Sequence, residues 1–204
     1  MRVDFNLYLI TNRHQVPAGR SLIAVIEAAL QGGVKAVQLR EKDLSAAELL
    51  PLAQELRSLT HQYHALLLIN DHVDVALAVE ADGVHLGGHS RPTDLVRRLV
   101  GAEMLIGVST HGRDEVRTAS EQGADFVTFG PVYATPSKAA YGAPQGLAAL
   151  ADACRNCHLP VFALGGITPE RVAEVRTAGA HGIALISAII AAPSPESAAK
   201  AFFT

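Results

Sequence analysis

Eight short apolar runs recur along the chain, and each is followed by a segment long enough to form a helix. Four share a small or charged pair before the apolar residues, at 34–40, 81–87, 124–130 and 180–187. Plainer runs alternate with them, at 7–10, 66–69, 105–108 and 161–164. Buried-type strands that alternate with helices predict an α/β fold, a (β/α)8 TIM barrel forming a single domain over residues 1–204. Such barrels place their chemistry at the carboxyl ends of the strands.

Composition fits a compact barrel and narrows the range of partners. The chain has 204 residues, of which 49% are hydrophobic, and its 17 basic and 20 acidic residues give a net charge of −3. No basic face for nucleic acid or an anionic membrane is therefore expected. No apolar run approaches the ~20 residues that span a bilayer, and no cleavable signal precedes the first run. We expect a cytoplasmic protein, and a homo-oligomer is compatible with these features.

Two cysteines, Cys154 and Cys157, have a C-x-x-C spacing. A redox pair or half of a zinc site would use this spacing, but the sequence has no second pair to complete a zinc site. The segment resembles the end of a helix, where the helix dipole disfavours a thiolate. We expect two packing residues in a reducing compartment.

The connection after the sixth run is longer than the others. A loop of about fifteen residues inside a compact barrel is usually functional or mobile. This loop lies between Gly130 and Gly146 and contains Thr135-Pro136-Ser137-Lys138, which offers two hydroxyls and an ammonium. It is therefore a candidate functional segment.

A cationic stretch ends the second run. Gln38, Arg40 and Lys42 alternate with Leu39 and Glu41, so an extended backbone would project the first three side chains in one direction. Two cations and an amide in the mouth of a barrel favour a polyanion such as pyrophosphate. The alternative is a structural ion pair between Arg40 and a carboxylate of a neighbouring strand.

Oxygen donors follow the third run. Asp71, directly after Asn70, is a candidate Mg²⁺ ligand, because hard oxygen donors suit an ion that bridges to substrate phosphates. Alternatively, Asp71 caps a helix that starts at His72. Ser109 and His111, at the end of the fifth run, are either functional residues or simple helix caps.

The last two runs end in features of a phosphate site. Gly165-Gly166-Ile167 follows the seventh run, and Ser187 stands where a helix should begin after the eighth. Backbone N–H groups and a helix N-terminus at these positions commonly bind phosphate in (β/α)8 barrels. The residues predict two anion sites in one mouth. One is cationic, from Arg40, Lys42 and Lys138, and the other uses backbone and hydroxyl groups, from Gly165, Gly166 and Ser187.

These motifs together resemble the thiamine phosphate synthase / TenI family. The matching segments cover nearly the whole chain in the family's order: Gln38-Leu39-Arg40-Glu41-Lys42, Asn70-Asp71, Gly83-Val84-His85-Leu86-Gly87, Gly107-Val108-Ser109-Thr110-His111, Phe129-Gly130-Pro131-Val132, Thr135-Pro136-Ser137-Lys138 and Gly165-Gly166-Ile167. The resemblance implies a transferase of thiamine biosynthesis. Such a synthase condenses hydroxymethylpyrimidine diphosphate with a thiazole phosphate, or its carboxylate, to thiamine phosphate and pyrophosphate.

The resemblance also assigns roles to residues. It implies that the pyrimidine diphosphate is bound by Gln38, Arg40, Lys42, Asn70 and Lys138, and that Ser109 is a further substrate-binding residue. It implies that the thiazole phosphate is held by Thr135, Ser137, Gly165, Gly166, Ile186 and Ser187. The protein must neutralise charge on the departing pyrophosphate and align the thiazole nitrogen, so no side-chain nucleophile is required. The implied catalytic residues are Arg40, Lys42, Ser109 and Lys138, with Ser109 over the reacting groups.

Mg²⁺ is the cofactor that the resemblance implies, with Asp71 as a ligand. The synthases usually carry an aspartate shortly after His-Leu-Gly as a second ligand, but this chain has Ser90 there. A neutral hydroxyl binds Mg²⁺ less well than a carboxylate does, so weakened metal binding is expected; the alternative is that His89, Asp71 and water compensate.

Two other functions stay open. A TenI-like thiazole tautomerase would shift a double bond in a thiazole carboxylate phosphate without Mg²⁺. The best-known member has a His after Phe-Gly, where this chain has Pro131. A non-catalytic protein that binds or senses a thiazole phosphate would have no use for a pyrophosphate site. Synthase activity is therefore the expected function.

Overall fold

The computed structural model describes residues 3–135 and 143–203, and these ranges contain eight strands and nine α-helices. The strands are β1 (Leu7–Ile10), β2 (Ala36–Leu39), β3 (Leu66–Asn70), β4 (Gly83–Leu86), β5 (Leu105–Thr110), β6 (Phe126–Phe129), β7 (Val161–Leu164) and β8 (Gly182–Leu185). The helices are α1 (Leu22–Gln31), α2 (Ala46–Gln62), α3 (Val73–Ala78), α4 (Thr93–Val100), α5 (Arg113–Glu121), α6 (Gly146–Arg155), α7 (Val172–Thr177), α8 (Ser187–Ile190) and α9 (Pro195–Lys200). The strands follow chain order in a closed barrel, which confirms the predicted (β/α)8 architecture.

Tertiary contacts divide the chain into two compact units. The β1–β4 unit comprises Leu7–His85 together with Leu185–Thr204. The β5–β8 unit comprises Met1–Asn6 together with Leu86–Ala184. Each unit contains its own parallel strand pairs and its own candidate site residues. Within the described ranges, no helix is both long and apolar enough to cross a bilayer.

Capped helices fix the loops of the β1–β4 unit. Ser21 caps α1 with its side chain, and Ser45 forms a reciprocal capping box with Glu48 at the start of α2. Gly32 ends α1 in a crowded position, because a Cβ there would lie 2.6 Å from the carbonyl oxygen of Glu196. α1 and α2 follow β1 and β2, so these contacts also fix the loops at the carboxyl ends of both strands.

Aromatic rings fill the amino end of the β5–β8 unit. Phe5 stacks on Phe162 with 4.9 Å between ring centroids, and Phe126 meets both rings edge-on. Phe126 is the first residue of β6, and Phe162 is the second residue of β7. The main chain joins this cluster, since the Ile183 N–H donates to the Asn6 carbonyl oxygen at 2.9 Å. The carboxyl ends of the strands remain for the candidate site.

Two expectations about strand ends are wrong in detail. Gln38 lies inside β2, which ends at Leu39, and Lys42 lies in a turn. The alternation that should align Lys42 with Gln38 therefore does not continue that far. At the end of β3, His72 occupies the N-cap of α3, so Asp71 does not cap a helix that starts at His72.

Candidate active site

Arg40 follows β2 directly and supplies the cation of the β1–β4 unit. Its side chain is partly buried, and this burial lowers the guanidinium pKa from its usual value, while the carboxylates of Asp71 and Glu41 act in the opposite direction. A guanidinium nevertheless stays charged in a protein. Asp71 follows the neighbouring strand β3, so its effect on the pKa of Arg40 agrees with a structural ion pair between these two residues. The positive charge at the strand end agrees equally with an anionic ligand.

Gln38 belongs to a buried polar layer that includes Tyr8 and His85. Gln38 Nε2 donates to Tyr8 Oη at 3.1 Å, and that oxygen lies 3.3 Å from His85 Nδ1. Burial lowers the pKa of His85 to about 3, so the ring is neutral near pH 7. Tyr8 and His85 are not among the sequence-predicted site residues, because both lie in apolar runs. Together they fix the amide of Gln38 two residues before Arg40.

Asn70 and Asp71 offer one oriented carboxylate. Asn70 ends β3, and its Nδ2 donates to Asp71 Oδ2 at 2.7 Å. Among residues 3–135 and 143–203, no group of three or more His, Cys, Asp or Glu side chains could hold a metal ion. A single carboxylate still fits Mg²⁺, which commonly takes most of its oxygens from water and substrate phosphates. Asp71 therefore fits as one ligand rather than as part of a complete metal cage.

Glu41 is a buried carboxylate, although in the alternating sequence it stands only as a spacer between Arg40 and Lys42. It accepts from Thr11 Oγ1 at 2.7 Å and from the Arg13 N–H at 3.0 Å. Thr11 Oγ1 in turn accepts from the Arg40 N–H at 2.9 Å. The Arg13 guanidinium also binds both carboxylate oxygens of Asp43 at 2.6 Å. The loop after β1 thus holds the loop that presents Arg40. The available sequence signal was an acidic residue enclosed between two cations.

Lys42 lies in the exposed turn between Glu41 and Asp43. Its predicted alignment with Arg40 depended on an extended backbone, which the turn replaces, so a contact between Lys42 and the diphosphate stays a prediction. Ser137 and Lys138, which the resemblance also assigns to substrates, lie outside the described residues.

Gly165 and Gly166 form a crowded loop after β7. Their φ angles are 100° and 66°, a region that favours glycine. A Cβ on Gly165 would lie 2.7 Å from Pro131 Cβ, and a Cβ on Gly166 would lie 2.7 Å from Tyr133 Cβ. The same Gly165 position lies 3.4 Å from Thr135 Cγ2. The β5–β8 unit therefore brings Thr135 together with the predicted glycine pair, whereas Ile186 and Ser187 belong to the β1–β4 unit.

This glycine loop is supported by a group of three residues that no sequence motif indicates: Arg171, Tyr133 and Glu174. Arg171 Nη1 donates to the Gly166 carbonyl oxygen at 2.6 Å, and its guanidinium carbon lies 4.3 Å from the centroid of the Tyr133 ring. Tyr133 Oη donates to Glu174 Oε1 at 2.5 Å. Burial, helped by that hydrogen bond, raises the pKa of Tyr133 to about 12, so the phenol keeps its proton near pH 7.

Ser90 and Ser109 line one cavity of about 490 Å³ in the β5–β8 unit. Ser90 Oγ accepts from the Gly87 N–H at 2.6 Å and closes the turn after β4. Ser109 lies inside β5, and Gly112 occupies the N-cap of α5, so neither Ser109 nor His111 is its cap. The two serines that the resemblance singles out therefore face the same cavity.

Cys154 lies in the last turn of α6 and Cys157 lies just beyond it, as expected. Both cysteines are free of disulfides. Burial raises the pKa of Cys154 to about 11, which disfavours the thiolate that redox or metal chemistry needs. These features favour a packing role.

An arginine and a carboxylate at one set of strand ends, and a glycine loop at another, are typical of a (β/α)8 barrel acting on phosphorylated small molecules. The thiamine monophosphate synthase family model matches residues 7–189. The chain belongs to this family, and the family predicted from its motifs is confirmed.

Relatives and a solved structure agree with this membership. A Geobacter sulfurreducens protein, provisionally named a thiamine-phosphate synthase, is 59% identical over 200 residues, which cover 98% of this chain and 93% of that protein. A Roseiflexus castenholzii thiamine-phosphate synthase is 45% identical over 195 residues, 96% of this chain and 85% of that protein. The thiamine phosphate pyrophosphorylase of Pyrococcus furiosus superposes with a TM-score of 0.89 at 34% identity, covering 99% of this chain and 95% of that one. The expected transferase of thiamine biosynthesis agrees with these names.

Proposed function

We propose that this protein is a thiamine-phosphate synthase, which joins hydroxymethylpyrimidine diphosphate to a thiazole phosphate and releases pyrophosphate. The observation that carries the proposal is the charged Arg40 guanidinium at the end of β2. The Asp71 carboxylate acts on it by raising its pKa against the effect of burial. A guanidinium and a hard oxygen ligand suit a diphosphate with Mg²⁺. A protein that handles only a thiazole phosphate needs neither group.

The reaction breaks the C–O bond between the pyrimidine methylene and the diphosphate, and the thiazole nitrogen forms a C–N bond to the same carbon. Electron release from the pyrimidine ring stabilises the cationic methylene, while negative charge grows on the departing pyrophosphate. Arg40 stabilises that charge, with Lys42 and Lys138 as further cations. Gln38 and Asn70 orient the pyrimidine diphosphate, and Ser109 faces the reacting groups.

Mg²⁺, when bound, supplies additional positive charge to the diphosphate oxygens. Asp71 would hold it, with its carboxylate oriented by Asn70 Nδ2. Ser90 brings no carboxylate, and its Oγ already accepts from the Gly87 N–H. The metal would therefore depend on the diphosphate and on water for most of its ligands.

The thiazole phosphate is bound, in this proposal, by backbone N–H groups of the Gly165-Gly166 loop, with Thr135 beside them. Ser137, Ile186 and Ser187 complete the set that the resemblance assigns. Because tertiary contacts fix the loop, its donors need little reorganisation when the phosphate arrives. Holding the phosphate aligns the thiazole nitrogen for attack.

A thiazole tautomerase is the second candidate, and Ser90 is the observation that favours it. A serine in place of the usual second Mg²⁺ ligand suits a reaction that needs no metal. In this alternative the glycine loop would hold the thiazole phosphate in the same way, and Arg40 would have no diphosphate to stabilise.

A pyrophosphate-release assay tests the proposal. The protein, both substrates and Mg²⁺ should yield pyrophosphate and thiamine phosphate in equal amounts. Arg40→Met should lower kcat/KM for the pyrimidine diphosphate by about 10²- to 10³-fold, because a charge-assisted contact to the leaving group is lost. Arg57→Met is the matched control, since it breaks an arginine–aspartate pair with Asp82 at 2.7 Å elsewhere in the same unit. Tautomerisation of the thiazole carboxylate phosphate without thiamine phosphate would establish the second candidate instead, and ligand binding without any turnover would indicate a sensor.

The metal is tested by restoring the carboxylate. Ser90→Asp should lower the Mg²⁺ concentration needed for half-maximal rate, because a carboxylate replaces a hydroxyl. Ser90→Ala separates this gain from the loss of the hydrogen bond to Gly87. An unchanged Mg²⁺ requirement in Ser90→Asp would mean that the metal takes its ligands from other residues.

A cytoplasmic location, and substrates rather than nucleic acid or membrane as partners, accompany the proposed synthase function. A homo-oligomer remains compatible with it. Sedimentation of the purified protein would give the oligomeric state directly.

A further inference from the structure

We infer that Arg171 is a positioning residue for the thiazole phosphate, because it fixes the peptide after Gly166 so that the loop's N–H groups face the ligand. Tyr133 and Glu174 hold Arg171 in its position. This inference rests on the proposed function, in which the glycine loop binds that phosphate.

The planarity of the peptide bond links Arg171 to the phosphate donors. In a trans peptide the C=O and the following N–H point in opposite directions. Arg171 Nη1 holds the Gly166 carbonyl oxygen at 2.6 Å, so the Ile167 N–H points away from Arg171. The Tyr133 N–H likewise holds the Gly165 carbonyl oxygen at 3.0 Å, so the Gly166 N–H points away from Tyr133. Two consecutive N–H groups are thereby oriented by contacts to their carbonyl partners.

Neither of these two N–H groups donates a backbone hydrogen bond within the described residues, 3–135 and 143–203. Ile167 is buried, and a buried N–H without an acceptor is unfavourable. Successive N–H groups of a turn form an anion-binding concavity when they point to one side, which is the arrangement we infer here. A phosphate oxygen would satisfy both donors.

Two residues, Tyr133 and Glu174, hold Arg171 where it contacts the Gly166 carbonyl oxygen. Its guanidinium stacks on the Tyr133 ring, and Tyr133 Oη donates to Glu174, which lies on α7 three residues after Arg171. The backbone of Tyr133 rests on the glycine loop. A planar guanidinium can stack and donate at once, whereas a lysine ammonium on a flexible stem cannot reproduce both contacts. Arg171 therefore connects the start of α7 to the loop that presents the donors.

Substitution of Arg171 tests this role, because it should change KM for one substrate and not for the other. Arg171→Met should raise KM for the thiazole phosphate about tenfold, the loss expected when a hydrogen bond from a charged donor disappears. KM for the pyrimidine diphosphate should stay within about twofold, since that substrate uses other residues. Arg171→Lys should give an intermediate rise, because it keeps the charge but loses the fork. Arg176→Met is the matched control, an exposed arginine in α7, the helix that Arg171 precedes, and should behave as wild type.

Each outcome decides the inference. A wild type that makes no thiamine phosphate would refute the proposed function itself. An active wild type with unchanged thiazole phosphate KM in Arg171→Met would overturn the positioning role alone. Equal rises in both KM values with a lower Tm would also overturn it, because a purely structural residue gives that result. If Arg171→Met does not fold, the same KM comparison in Arg171→Lys decides, since this variant retains the positive charge.

Discussion

The two loops assigned to phosphate groups are fixed by different chemistry. The loop after β2 is held by side-chain acceptors, the Glu41 carboxylate and the Thr11 hydroxyl, and presents the side chain of Arg40. The loop after β7 is held at its main-chain carbonyls, by the Tyr133 N–H and the Arg171 guanidinium, and presents main-chain donors. A loop held by a carboxylate responds to pH and salt, whereas an arginine stays charged and backbone groups do not titrate, so the second loop responds mainly to steric change. The substitutions below separate these two behaviours.

Glu41→Leu should have the largest effect on stability. It removes a buried acceptor and leaves Thr11 Oγ1 and the Arg13 N–H without their partner, so we expect a loss of about 3–5 kcal/mol in the free energy of unfolding. Urea denaturation at pH 7 measures this loss. Glu48→Leu, which removes the exposed carboxylate of the α2 capping box, should lose much less. Equal losses in the two variants would show that the loop does not depend on Glu41.

Gly166→Ala should be the next most damaging change. The new Cβ meets Tyr133 Cβ and the Ala134 carbonyl oxygen, and the positive φ adds backbone strain, which together should lower the free energy of unfolding by about 2–4 kcal/mol.

Gly19→Ala is the control for strain alone, because its φ is 81° and its Cβ would enter open space. It should lose about 1 kcal/mol. The difference between the two glycine variants should be the same at pH 7 and pH 5, since the atoms that either new Cβ would meet carry no charge. A pH-dependent difference would contradict the contrast between the loops.

The polar layer below Arg40 should make the β1–β4 unit sensitive to acid. The pKa of His85 is lowered to about 3 in the folded protein from 6.5 in the unfolded chain. The unfolded chain therefore binds more protons than the folded one between these values, and stability falls as pH falls through that window. We expect a loss of about 2 kcal/mol between pH 7 and pH 5.

His85→Gln should largely remove this dependence, as followed by urea denaturation at several pH values. His61→Gln, at an exposed position of α2, should retain the wild-type profile. A wild-type profile in His85→Gln would mean that other groups cause the acid sensitivity.

Arg13→Met should have the smallest effect. Arg13 holds the pKa of the exposed Asp43 carboxyl well below its usual range, chiefly through their hydrogen bonds. That stabilisation is present above the unfolded pKa of about 4 and is lost as pH falls towards the folded value. The variant should therefore melt slightly below wild type at pH 7 and approach it in acid, as measured by Tm.

Arg98→Met, which breaks an exposed pair with Asp94 within α4, controls for a generic surface ion pair. KM for the pyrimidine diphosphate should rise about twofold in Arg13→Met and stay constant in the control, because only the first pair supports the Arg40 loop. The same small change in both variants would assign Arg13 an ordinary surface role.

The sequence was sufficient to predict the strands, because a parallel strand buried on both faces is an almost continuous apolar run. The runs at 7–10 and 161–164 coincide with β1 and β7. The glycine pair predicts a tight loop after the seventh strand, which its positive φ angles confirm, while its role in phosphate binding stays a prediction. These features depend on residues close together in the chain.

The supporting contacts could not be predicted in the same way. Tyr133 and Glu174 are 41 residues apart, so neither has a local pattern that indicates the other. The position of Lys42 differs from the prediction for another reason. An extended strand would align Lys42 with Arg40, but the strand ends at Leu39 and the chain then turns. Long-range hydrogen bonds and the exact end of a strand both require coordinates.

The contacts of Phe5 and Asn6 have a consequence for biogenesis. The His181 ring nitrogen lies 3.1 Å from the carbonyl oxygen of Phe5, across a separation of 176 residues. Ribosomes deliver the chain from the amino end, so Phe5 emerges long before the segment that covers it. The contacts of Phe5 and Asn6 therefore cannot form until residue 183 has left the ribosomal exit tunnel. Contacts of such long range also slow folding, so this junction should form late.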